Sequence, residues 1–233
     1  MMFPAILRGW QDLIRPEALK ILLLGIALAL GLLIALGVAT IWLLGLVLPD
    51  TVNLPFWGPV TWVDAAAGWV AVAVFLFASI FLMAPVASIF TGFFLDDVAG
   101  MVEREHYPDL PPVKPLGLLE TLGDTLKFFG VVIAANLVAL MIYPFVIPFA
   151  PFLFLALNGY LLGREYFQMA AIRRMSRAEA RALYERNKLT VWLTGAIMAV
   201  PLSVPVLNLV VPVVGAAAFT HLFHDLARRQ LAV

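Results

Sequence analysis

The chain has 233 residues, 63% of them hydrophobic and only 13% charged, against about 25% charged in an ordinary soluble domain. Its 15 basic and 15 acidic residues cancel to a net charge of +0, which gives no reason to expect nucleic acid as a partner. With no cysteine there is no disulfide framework, thiolate nucleophile or Cys-based metal site.

Residues 1–18 place Phe3, Ile6, Leu7, Trp10, Leu13 and Ile14 at spacings of three and four, the period of an amphipathic helix. Such a helix suits the inner membrane surface; a disordered tail is the alternative reading. The first apolar run, Leu19–Leu48, is about 30 residues, longer than the ~20 helical residues that cross a bilayer core. It is also far longer than the 7–15-residue apolar core of a signal peptide, so it is expected to stay as an anchor. Pro16 suits the first turn of this helix, where a missing N–H loses nothing.

A second apolar run, Ala65–Leu95, follows the segment 49–64, which holds two acids, Asp50 and Asp64, and no Lys or Arg. Apart from Lys20 at the very start of the first run, every basic residue lies before that run, after the second, or beside later apolar segments. By the positive-inside rule the amino terminus is cytoplasmic and residues 49–64 face outside. Trp42, Trp57 and Trp62 mark the outer boundary. Pro85 is expected to bend the second helix, whose apolar period continues past the membrane through Val98, Met101 and Val102. One spanning helix over 65–105 with a cytoplasmic extension is expected, ended by the prolines of the loop His106–Pro115.

Two proline-interrupted apolar units follow, 126–163 and 189–224, joined by a polar stretch. Their arms reach only ~17–27 Å as helix, short for a ~30 Å bilayer core. Each begins and ends beside basic residues, Lys127 and Arg164, then Lys188 and Arg228. Re-entrant hairpins entering from the cytoplasm fit best; charge alone also allows two full crossings per unit. Residues 164–188 read as a cytoplasmic basic helix with Arg173, Arg177 and Arg181 one turn apart, facing water or lipid headgroups. The predicted fold is therefore an all-α integral membrane protein forming a single membrane domain over 1–233. It has two long transmembrane helices (19–48 and 65–105), two partly penetrating hairpins and an amphipathic N-terminal helix.

Enzyme signatures are missing: there is no His-Glu-x-x-His, Gly-x-Ser-x-Gly, Walker loop or dinucleotide-binding glycine pattern. His221, His224 and Asp225 form the one metal-like cluster, but they provide too few ligands, and interfacial polar residues at a helix end are the better reading. Neither a metal nor a cofactor is expected. Returning hairpin arms would bury helix amino termini near mid-membrane, where unpaired N–H groups and the dipole favour an anion. Prolines that merely cap tips serving packing account for the same pattern equally well.

The block Asn158-Gly-Tyr-Leu-Leu-Gly-Arg-Glu-Tyr-Phe-Gln, followed by Arg173-Arg174, resembles the signature of the CysZ family of bacterial sulfate permeases, grouped with the etoposide-induced membrane proteins. A second block, Val204-Pro-Val-Leu-Asn208-Leu-Val-Val-Pro212-Val-Val-Gly-Ala-Ala-Ala with His221-Leu-Phe-His224, is similar in order and spacing. The resemblance covers nearly the whole chain. It implies a homo-oligomeric bacterial inner-membrane protein, with two long helices and two partly penetrating hairpins, that takes up sulfate for cysteine biosynthesis.

Family members carry Gly-Leu-Arg-Arg, associated with sulfate, at the start of the first spanning helix. Here Ala18-Leu19-Lys20-Ile21 stands there: Leu19 matches, Lys20 keeps a charge, and the Gly and second Arg are absent. Arg15, Leu19 and Lys20 are thus the expected anion-binding residues, with Arg164 at the hairpin exit as a guard, or else paired structurally with Glu165 or Glu120. Asn158 and Asn208 are the candidate pore or hairpin-tip residues. The expected partners are sulfate or a related oxyanion, membrane lipid, and further copies of the chain in a closed ring. A non-transporting assembly or lipid-interacting scaffold is the alternative function.

Overall fold

A computed structural model describes residues 1–47, 52–54, 58–60, 69–70, 73, 75, 77, 94–111, 113, 130–131, 134–138, 140–142, 145 and 147–231. The chain forms two compact units, Met1–Leu22 with Phe93–Val233, and Leu23–Gly92. Among the described residues helix dominates both, as the sequence predicts, beside one short two-stranded ribbon.

The smaller unit holds most of α2, Pro16–Val47, whose stretch Pro16–Thr40 is long and apolar enough to cross a membrane. Its side chains are largely exposed, as with Leu23, Ile34 and Val38, which suits a helix surrounded by lipid. The segment between the apolar runs contains strands β1, Val52–Leu54, and β2, Gly58–Val60, paired antiparallel with Asn53 opposite Pro59. The sequence analysis places these residues outside and predicts no strand among them. Of the second run, residues 69, 70, 73, 75 and 77 are helical. The rest of 65–93, including Pro85, lies outside the described residues. Gly37 takes the Phe75 ring so closely that a Cβ there would stand 2.7 Å from it.

The larger unit is built around α8, Val211–Leu231. Val213, Val214, Ala216, Ala217, Ala218, Phe219, Leu222 and Phe223 are all buried. Small residues let neighbours approach closely. The Tyr166 ring lies against Gly215, and Gly9 of α1, Met2–Leu13, sits on Ala218 and the Val214 carbonyl. Helix α1 is thereby a tertiary element. It buries Ala5, Ile6, Gly9 and Asp12 against α8, while Phe3, Leu7 and Ile14 of the apolar stripe stay exposed.

Helix α3, Leu95–His106, is the expected extension after the second run; its first residue follows a turn at Phe94. It packs Val98, Met101 and Val102 inward beside α8. After the short 3-10 turn Ile147–Phe149, helix α4 runs Ala150–Ile172, continuous through the position where the first hairpin was to end. Its chain turns at Arg173–Met175, because Ser176 starts a new helix, α5 (Arg177–Arg186), with a capping box. The Ser176 hydroxyl accepts from Glu179 N at 3.3 Å, and the Glu179 carboxylate accepts from Ser176 N at 2.9 Å. The stretch 164–188 is therefore the end of α4, the whole of α5 and the first residue of the next helix rather than one helix, and Arg173 does not share a helical stripe with Arg177 and Arg181.

Helix α6, Lys188–Ala199, leads to a 3-10 turn, Val200–Ser203, and a single helical turn, α7, Pro205–Asn208. This gives the predicted proline-rich tip. The arms are arranged differently from two self-contained hairpins, for α6 packs chiefly on α4. The reason is glycine. Gly159 and Gly163, one turn apart on α4, face Gly195, Ala196 and Val191, and a Cβ on Gly195 would fall on the Gly159 carbonyl oxygen. The Trp192 indole N–H donates across the same seam to the Ala156 carbonyl at 3.0 Å. Residues 126–129 and Pro144 of the first unit lie outside the described residues.

Candidate functional site

Charged side chains from α1, α3, α8 and the turns that follow α1 and α4 converge in the larger unit as two linked clusters. In the first, Asp12, 1% exposed, is the centre. Its Oδ1 accepts from Arg15 Nε at 2.8 Å and lies 2.9 Å from His106 Nε2, while its Oδ2 lies 2.9 Å from His221 Nε2. Burial by itself would push the Asp12 carboxyl up; the bonds from His221, His106 and Arg15 outweigh it and hold the group at about 2. Arg15 has a second carboxylate, Glu105, at 2.8 Å from Nη1. The Asp12 bond, aided by Glu105, raises the Arg15 guanidinium still further from any deprotonation.

In the second cluster, buried Glu103 accepts from Arg174 Nε and Nη2, both at 2.8 Å, and from Arg173 Nη2 at 3.1 Å. His224 Nε2 lies 3.3 Å from its Oε1. Desolvation again opposes ionisation, and the bonds from His224, Arg174 and Arg173 win, holding Glu103 at about 2. Arg173 also pairs with Asp96, and Arg174 donates to the Pro111 carbonyl. Arg173 Nε has no acceptor among the described residues. Tyr107 joins the clusters: its hydroxyl is 3.0 Å from His221 Nδ1, its ring stacks on His224 at 4.1 Å between centroids, and Arg228 lies 5.0 Å above it.

These contacts change the standing of the expected site residues. Arg15 is committed to two carboxylates rather than presented free to an anion. Arg173 points inward, with its side chain 6% exposed, and does not face water or headgroups. The amino-terminal turn of α2 holds Glu17, bonded to Arg104 at 2.6 Å, which partly offsets the helix dipole there. Lys20 is exposed and has no ion-pair partner among the described residues, and Leu19 beside it is exposed too. Arg164 donates to the Tyr160 hydroxyl at 3.3 Å, one turn back on α4; Glu120 lies outside the described residues. Asn158 spends its amide on the Phe154 carbonyl at 2.9 Å, and Asn208 stands half-buried at the end of α7. The structure gathers Arg15 with the clusters; Arg164, Asn158 and Asn208 are not joined to it by any described bond.

Sequence reasoning singled out His221 and His224 but paired them with Asp225, which instead faces Arg8 at 3.7 Å. Asp12 was missed. The one signal in the sequence is an acid on the face of α1 that also carries Ala5 and Gly9, the small residues that permit burial.

A search of curated proteins finds no match. A comparison with protein families matches residues 5–212, nearly the whole chain, including the first of the blocks singled out above and the second as far as Pro212. The apolar α2, the proline-rich tip and the glycine-packed arms thus lie within a recognised pattern, and the chain belongs to the membrane-protein family described as "Sulfate transporter CysZ/Etoposide-induced protein 2.4".

Proposed function

We infer that this protein is a sulfate or related oxyanion permease or channel, passive or ion-coupled, of a bacterial cytoplasmic membrane, with its amino terminus inside, and that it supplies sulfate for cysteine biosynthesis. The observation that carries this reading is the family match over residues 5–212. The placement of the basic residues supports the topology, since none falls in 49–64. Helices α4 and α8 start at Ala150 and Val211, after apolar turns rich in proline, and their first N–H groups supply an anion-favouring potential without a buried lysine. On the cytoplasmic side Lys20 carries more of the anion contact than Arg15, because Arg15 is already paired. Two long helices and two short arms do not enclose a polar path by themselves, so copies of the chain complete it in a closed ring.

The test is radiolabelled sulfate flux into proteoliposomes containing the detergent-purified chain, with its mass measured in mild detergent. Flux above that of empty vesicles, from an oligomer, supports the reading. Absence of flux from intact oligomer refutes transport and favours a scaffold role. A purely monomeric mass refutes the ring.

A further inference from the structure

We propose that Asp12, His106 and His221 form a binding site for a divalent transition-metal ion of the zinc, cobalt or nickel class. The inference stands apart from the transport reading and needs none of it. One ligand atom from each residue lies within 4.8 Å of the other two. The three come from separate elements, α1, the end of α3 and α8. Each imidazole turns its Nε2 toward a different oxygen of the same carboxylate, both at 2.9 Å. A tetrahedral ion with Zn–N bonds of ~2.0–2.1 Å separates its ligand atoms by about 3.3 Å; the two N–O pairs at 2.9 Å are near that spacing, and the remaining separations, all within 4.8 Å, close onto it by side-chain rotation when the ion enters. Two imidazoles and one carboxylate are a borderline donor set that selects these metals over magnesium or calcium. Three protein ligands leave a further position for water.

The surroundings fit a ligand shell. His221 Nδ1 faces the Tyr107 hydroxyl at 3.0 Å, the outer contact that orients a metal-bound imidazole. Asp12 and His221 are buried, while the His106 side chain is 30% exposed and gives the ion a way in. Arg15 is the competitor, holding Oδ1 through Nε and lying 3.5 Å from His106 Nε2. Glu105 gives its guanidinium a second carboxylate at 2.8 Å, so it keeps a partner when the ion enters. Metal entry displaces the Nε2 protons of the two imidazoles and the Arg15 bond, and it pins α1 and α3 to α8.

The full chain, purified without a polyhistidine tag and stripped with chelator, is titrated with zinc by calorimetry and with cobalt by visible absorption. One ion per chain is expected, with a cobalt spectrum of low coordination number. His106→Gln and His221→Gln each remove it, His224→Gln leaves it, and Tyr107→Phe weakens it about tenfold or more. Arg15→Gln tightens binding, a change of sign that a merely hydrogen-bonded cluster does not produce. The proposal is overturned if the wild-type chain binds neither ion, or if it binds them no better than the double variant His106→Gln/His221→Gln. Should that double variant not fold, unaltered affinity in both Tyr107→Phe and Arg15→Gln overturns it instead.

Discussion

Replacing Glu103 by glutamine removes the charge of a buried acid that pairs with both Arg173 and Arg174. Its side chain is 4% exposed and receives three guanidinium N–H groups within 3.1 Å. Removing one partner of a buried ion pair costs about 3–5 kcal/mol, chiefly because the charge left behind stays desolvated. The titration of the carboxyl gives a second route to the magnitude. Its depression from 4.5 to about 2 corresponds to on the order of 3 kcal/mol at 1.36 kcal/mol per unit. Glutamine keeps the volume and one acceptor, so a loss near 3 kcal/mol is expected.

The sign with pH follows from the depression. The contribution of Glu103 is complete above the unfolded value near 4.5 and disappears as pH falls toward about 2. Denaturant unfolding in detergent, followed by tryptophan fluorescence, measures the gap between wild type and Glu103→Gln. It should be widest at neutral pH and close on acidification. A gap below about 1 kcal/mol at neutral pH, or one that does not narrow in acid, would refute the reasoning, since exposed pairs are worth only that much.

Further expectations follow from single contacts. Gly195→Ala drives a methyl onto the Gly159 carbonyl and should destabilise by about 1–3 kcal/mol, whereas Gly31→Ala, with open space around it, should be neutral or gain up to about 1 kcal/mol; thermal unfolding of the pair decides, and equal effects would contradict the close crossing. Ser176→Ala removes the cap of α5 and should cost about 1 kcal/mol in the same assay. Lys20→Ala should weaken sulfate binding, measured by calorimetry, with the melting temperature unchanged. Arg15→Ala should lower the melting temperature, because it strips Asp12 and Glu105 of a partner. Full sulfate affinity in Lys20→Ala would move the anion contact to the hairpin ends near Asn158 and Asn208.

What could be read in the chain was what is local in it. Apolar runs and prolines act over a few turns of helix, so α1, the apolar α2, the α3 extension, the tip around Val200–Asn208 and the family were legible. Burial by Ala5, Gly9 and Gly195 was not, because a small residue shows its function only once another backbone lies against it. The break at Ser176 followed from a capping box whose serine and glutamate, three residues apart, are visible in the sequence, yet the surrounding basic period concealed it.

Partnerships among charges depended wholly on tertiary structure. Asp12 meets His106 across 94 positions and His221 across 209, and Glu103 meets Arg174 across 71. A carboxylate buried without such partners would be neutral or expelled, so its charge is a property of the packed helices. Sequence by itself determined which segments are apolar and which family they belong to; only the packing of α1 and α3 against α8 decided which charges are buried and what they bind, because desolvation acts on the folded neighbourhood and not on the neighbour in the chain.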